Sequence, residues 1–89
     1  MKFIIHTPTG IQIAKDNIDV VRVTLTDGKP LSIHPHHAPL MAEIGNDSII
    51  TVDGKGKTDS FAVHGGILSV AENKIKILSQ DIHMEEAHA

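Results

Sequence analysis

Val21-Arg22-Val23-Thr24-Leu25-Thr26 alternates apolar and polar side chains and runs into Asp27-Gly28-Lys29-Pro30. Successive side chains on a strand point to opposite faces, so Val21, Val23 and Leu25 line one face of a sheet. The same period of two holds elsewhere, in Phe3/Ile5, Ile11/Ile13, Ile50/Val52, Phe61/Val63, Leu68/Val70 and Ile75/Ile77. β-Branched residues dominate these runs, as half-buried strands prefer. Turn residues separate them: Thr7-Pro8-Thr9-Gly10, Asp16-Asn17, Gly45-Asn46-Asp47, Asp53-Gly54-Lys55-Gly56 and Glu72-Asn73. Glycine and asparagine accept positive φ and proline presets φ, so each cluster predicts a reversal.

Short strands recurring every eight to twelve or so residues predict an all-β sandwich or barrel. One phase slip stands out. Ile18 and Val20 share a register, whereas Val21, Val23 and Leu25 take the opposite one. The slip predicts a β-bulge, or a strand that changes sheets, near Val20. Only the tail, Asp81 to Ala89, reads as helical, and it is too short for a stable isolated helix. The expectation is one β domain, a β-sandwich or a barrel, over residues 1–80 and a frayed turn or disordered end over 81–89.

Composition narrows the function. With 89 residues the chain makes one small domain, which buries roughly 60–65% of its unfolded surface. Cysteine is absent, so neither a disulfide nor a thiolate metal site adds stability. Phe3 and Phe61 are the only aromatic residues, and the net charge is −3. Both facts argue against nucleic acid, which needs stacking platforms and a phosphate-tracking cationic surface. The lack of tryptophan and tyrosine argues against a carbohydrate-binding sandwich. No apolar run is long enough to span a bilayer, and Met1 to His6 turns polar too soon for a signal peptide.

Seven histidines are the chemically richest feature, and three sit in Ile33-His34-Pro35-His36-His37-Ala38-Pro39-Leu40. On an extended segment, His34 and His36 would share one face and offer two imidazoles to a metal. Gly28, five residues, then His34-Pro35-His36 resembles the opening of the cupin metal motif. Glu43 stands too far along for that motif's carboxylate, and nothing around His64 supplies its second half. The other reading is a proline-stiffened recognition loop. No nucleophile motif is present, and Asp53-Gly54-Lys55-Gly56-Lys57 reads as a hairpin turn rather than a phosphate loop. Gly65-Gly66 marks either a bend that a missing Cβ permits or a close backbone approach, as at a subunit contact.

Taken together, Ile33, Pro35, His37-Ala38-Pro39-Leu40, Gly65-Gly66-Ile67-Leu68 and Asn73-Lys74-Ile75-Lys76-Ile77-Leu78 resemble the epsilon subunit of rotary ATP synthases. The likeness is to its N-terminal β-sandwich domain and covers nearly the whole chain. It implies a flattened two-sheet sandwich of about ten short strands, with at most a short helical turn at the C-terminus. It implies no catalysis, no cofactor and no metal. It further implies a rotor subunit of the central stalk that docks the gamma subunit onto the membrane c-ring and supports proton-coupled ATP synthesis. Such a subunit lies on the cytoplasmic side of the bacterial inner membrane, peripheral through the ring.

By the same resemblance, His36, His37, Ala38, Pro39 and Leu40 fall on the rotor-contact loop. Ala42 and His64 fall where the family faces gamma, with Gly65 and Gly66 beside them. Lys29 falls at the end facing the ring. Pro39, Leu40, Met41 and Ala42 are expected to form an exposed apolar patch. Relatives continue into a C-terminal helical pair, of which residues 81–89 look like the start, so the resemblance implies no ATP binding in this short chain. The competing reading is a small cupin-like metal-binding β protein using His34, His36 and His64.

Overall fold

A computed structural model describes residues 1–80 and 82–85. In chain order the strands are β1 (Lys2–Thr7), β2 (Gly10–Lys15), β3 (Val20–Thr24), β4 (Pro30–Ile33) and β5 (Leu40–Ile44). There follow β6 (Ser48–Gly54), β7 (Lys57–Val63), β8 (Gly66–Ala71), β9 (Lys74–Leu78) and β10 (Ile82–Glu85). They form two five-stranded sheets, ordered β2-β1-β9-β8-β5 and β10-β7-β6-β3-β4. Of the sandwich and the barrel that the alternation allowed, the two-sheet all-β sandwich implied by the resemblance is the observed fold.

The turns behave as their residues dictate. Lys55-Gly56 and Glu72-Asn73 each place two successive residues at positive φ, between 52° and 74°. That is the mirror-image turn whose twist matches paired strands, and it joins β6 to β7 and β8 to β9. The phase slip near Val20 has its cause in residues 16–19, which carry the chain from the first sheet to the second. Ile18 and Val21 are both buried although their phases differ, because they belong to different segments of that crossing. A β-bulge does exist, but it lies between Ile5 and His6 in the β1–β2 pair.

The tail differs from expectation. Ile82–Glu85 is a strand, not a frayed turn, and it pairs antiparallel with β7 through Ile82↔Val63 and Glu85↔Ser60. The free edge of β7 offers hydrogen bonds that four extended residues take up, whereas a helix so short has no stability of its own. The rest of the expected tail, 81 and 86–89, lies outside the described residues.

Sixteen apolar side chains lie at 8% exposure or less, drawn from both sheets. Phe3 of β1 and Phe61 of β7 stack across the core, with ring centroids 6.2 Å apart and planes at 21°. At the edge where β2 lies over β7, Lys15 and Asp59 form an ion pair of 2.8 Å that links the sheets. Among the described residues, no buried side-chain polar atom lacks a hydrogen-bond partner. Ser48 achieves this by donating to the Thr24 carbonyl at 3.1 Å.

On the outer face of the second sheet, Asp53 accepts from Thr58 Oγ1 at 2.5 Å and from the Arg22 guanidinium. The Thr58 hydrogen bond first, and then that from Arg22, hold the Asp53 carboxyl below its usual value of 3.8. The folded state therefore binds this proton less readily than the unfolded chain, so Asp53 adds stability above that value. The advantage disappears as pH falls below about 3.8 and through the lower folded value. Melting curves of wild type and Asp53→Asn are expected to differ at pH 6 and to converge toward pH 3. Phe61→Ala is expected to remove roughly 3–5 kcal/mol in urea titration, because it empties the centre of a packed core.

Candidate docking surfaces

Strand register divides the expected site residues between opposite ends of the sandwich. Leu40 at the start of β5 pairs with Val70, and Ile44 at its finish pairs with Gly66. The loop 34–39 therefore sits beside the β8–β9 turn, while Gly65 and Gly66 sit at the other end. Lys29 joins them there, since Thr24 pairs with Pro30 at the mouth of the β3–β4 turn and Leu25 bridges to Ile44. The five residues of β5 separate the ends by roughly 14 Å.

At the first end the histidine loop is a turn, not an extended segment. His36 adopts φ 63°, and its N–H donates to Asn73 Oδ1 at 2.8 Å. The His37 N–H donates to the His34 carbonyl at 3.2 Å. The His37 ring donates from Nδ1 to the Ala38 carbonyl at 2.7 Å, because a carbonyl only accepts. The reversal breaks the shared face that a His34–His36 chelate requires. Among the described residues, no group of three or more His, Asp or Glu is placed to hold a metal ion.

At the second end, Thr26 donates through both its N–H and Oγ1 to the Glu43 carbonyl, at 3.1 and 3.0 Å. This fastens the Lys29 turn of the second sheet to β5 of the first. His64 Nδ1 lies 3.1 Å from Asp47 Oδ1, and Ser79 Oγ donates to the Gly65 carbonyl at 2.8 Å. The glycine pair is required by the chain itself. Gly65 takes φ +77°, and a Cβ on Gly66, at φ +146°, would stand 2.3 Å from the Leu78 carbonyl oxygen.

Ala38 and Pro39 are exposed, but Leu40 and Ala42 turn inward and pack against the core. Alternation along β5 leaves Met41 pointing outward, 74% exposed. The four-residue apolar patch expected there thus reduces to Pro39 and Met41. A broader one lies on the outer face of the first sheet, where Ile11, Leu78 and Ile67 are 56%, 49% and 39% exposed. Register sets them in one row, Ile11–His6–Leu78–Ile67–Glu43. At this row His6, Pro8, His64, Ile67, Leu78 and Gln80 help to line a cleft of about 470 Å³. The outer face of the second sheet carries Arg22, Thr24, Ser32, Thr51, Asp53, Thr58 and Ser60, with Ile49 its one large exposed apolar residue among those described.

A family model described as ATP synthase, Delta/Epsilon chain, beta-sandwich domain, matches residues 1–85. The chain belongs to this family. It is 36% identical over 63 residues to the ATP synthase epsilon chains of Mycolicibacterium vanbaalenii and Mycolicibacterium smegmatis, covering 70% of this chain. The epsilon chain of Mycobacterium leprae is 32% identical over the same length. The match spans about half, 52%, of each relative's own length.

Two cryo-EM structures share the fold. One is of the central stalk and c-ring of the Tetrahymena thermophila mitochondrial ATP synthase, with TM-score 0.74 and 16% identity, covering 93% of this chain and 65% of that one. The other is of the Euglena gracilis mitochondrial ATP synthase, OSCP/F1/c-ring, with TM-score 0.81 and 13% identity, covering 92% and 51%. Among the described residues, no helix is long and apolar enough to cross a membrane.

Two glycine substitutions separate backbone strain from collision. Gly28, at φ +84° with nothing within 4 Å of an added Cβ, is expected to lose about 1 kcal/mol on change to alanine. Gly66→Ala meets the Leu78 carbonyl and is expected to lose about 1–3 kcal/mol more in urea titration.

Proposed function

We propose that this chain is a non-catalytic rotor subunit of a rotary ATP synthase, docking the gamma subunit onto the c-ring and supporting proton-coupled ATP synthesis. Family membership and the names of its relatives support the assignment. The observation that carries the docking role is the asymmetry of the two faces. Of the five large apolar side chains exposed among the described residues, Ile11, Met41, Ile67 and Leu78 share the outer face of the first sheet. A face of this kind on a small soluble domain is a contact surface, and hydroxyl groups dominate the opposite face.

In this reading gamma covers the first sheet and the neighbouring loop His36, His37, Ala38 and Pro39. His64, with Gly65 and Gly66 beside it, lines the cleft next to the first sheet's apolar row and faces gamma, and the Lys29 turn faces the ring. The subunit is then peripheral to the membrane, on the cytoplasmic side in a bacterium. Leu40 and Ala42 serve from beneath, fixing β5 so that Met41 faces outward. Rotation loads this body, and a sheet pair closed over one core transmits load with little deformation.

Purified chain is expected to bind the cognate gamma subunit in sedimentation and titration. Ile67→Asp with Met41→Asp should weaken binding about thirtyfold or more, as expected for charges placed in a desolvated contact. Ile49→Asp, on the second sheet, should leave it unchanged. A folded wild-type chain that fails to bind gamma overturns the proposal.

A further inference from the structure

The outer face of the first sheet is apolar at one end and cationic at the other. Lys74, Lys76 and Leu78 alternate outward along β9, with Ile75 and Ile77 buried beneath them. Lys2 on β1 is the direct register partner of Lys74, and Ile4 pairs with Lys76. Three cations therefore cluster on a chain whose net charge is −3. Among the described residues, none of the three takes part in an ion pair. The face holds one carboxylate on its strands, Glu43 on the far edge strand, whose Oε1 lies 3.2 Å from Thr26 Oγ1. Like charges directly opposite one another in a sheet are unfavourable, so Lys2 and Lys74 work against the isolated fold.

The spacing has a simple complement. Leu78 to Lys76 is two strand residues, about 6.6 Å, and Leu78 to Lys74 is about 13 Å. A helix rises about 1.5 Å per residue, so four positions, about 6 Å, and eight, about 12 Å, nearly match these distances. Residues at i, i+4 and i+8 lie near one helix face. A sheet face, unlike an edge, presents no free backbone groups, so its partner packs through side chains, as helices do on sheets.

Building on the docking role above, we propose that this face receives an amphipathic helix of the gamma subunit lying along β9. The helix sets an apolar side chain on Leu78 and Ile67, and carboxylates on Lys76 and on the Lys74–Lys2 pair. The apolar end supplies desolvated contact area. The carboxylates neutralise the lysine cluster, set the helix direction and steer the encounter.

The test uses the whole chain and intact gamma. Lys2→Gln, Lys74→Gln and Lys76→Gln together are expected to weaken binding about tenfold at 50 mM salt, mostly through the association rate. The same triple variant should flatten the loss of affinity between about 50 and 300 mM salt. Zero-length carbodiimide cross-linking should join Lys74 and Lys76 to two carboxylates three to five positions apart in one gamma segment. Gamma binding by the triple variant with wild-type affinity and salt dependence overturns this inference and leaves the docking role intact. So do cross-links from these lysines that scatter over unrelated gamma segments, or lysine-dependent capture of anionic phosphatidylglycerol vesicles alongside unchanged gamma binding. A wild-type chain that does not bind gamma overturns both.

Discussion

The contact between Phe3 and Phe61 is the constraint on which the rest of this molecule depends. These are the only aromatic side chains in the sequence, and they stand on different sheets with their rings stacked. Among the described residues, every other buried side chain is aliphatic or a small hydroxyl. In a domain this small, one aromatic pair supplies a large share of the area that joins the layers. Because the sheets meet there, the edge contacts have fixed positions, including the Lys15–Asp59 ion pair and the Thr26–Glu43 fastening. The outer face of the first sheet inherits its shape from that seating.

Much of this was legible in the sequence because the period of two is a local property. Val21-Arg22-Val23-Thr24 and Lys74-Ile75-Lys76-Ile77 each state which residues face inward, and the structure agrees. The turns were legible because positive φ selects its residues. Three things were not. Ile82–Glu85 became a strand through an edge hydrogen-bonding opportunity on β7, which no local pattern announces. The histidine loop curled because Asn73, far along the chain, accepts the His36 N–H. Gly66 is needed because of Leu78, brought near by sheet order.

The exposed apolar row of the first sheet had a signal that alternation alone conceals. Where two apolar residues are adjacent in a strand, one of them must point outward. Ile67-Leu68, Ile77-Leu78 and Leu40-Met41 are such doublets, and each contributes an outward residue to the first sheet. The resemblance that named the epsilon subunit drew attention to the loops instead. The residues it singled out are spread over two ends of the sandwich.

The parallel pairing of β1 with β9 has a consequence for how the chain is made. Lys2 through His6 lie against Lys74 through Leu78, so β1 takes as a neighbour a strand that follows it far along the chain. The second sheet's β6–β7 hairpin can zip as soon as it leaves the ribosome, since its partners are adjacent in sequence. β1 has only β2 for company until β9 emerges, and Phe3 and Ile5 have an incomplete layer beside them until then. A nascent chain halted before residue 74 would thus expose an apolar strand with one open edge, the form in which chains aggregate or recruit chaperones.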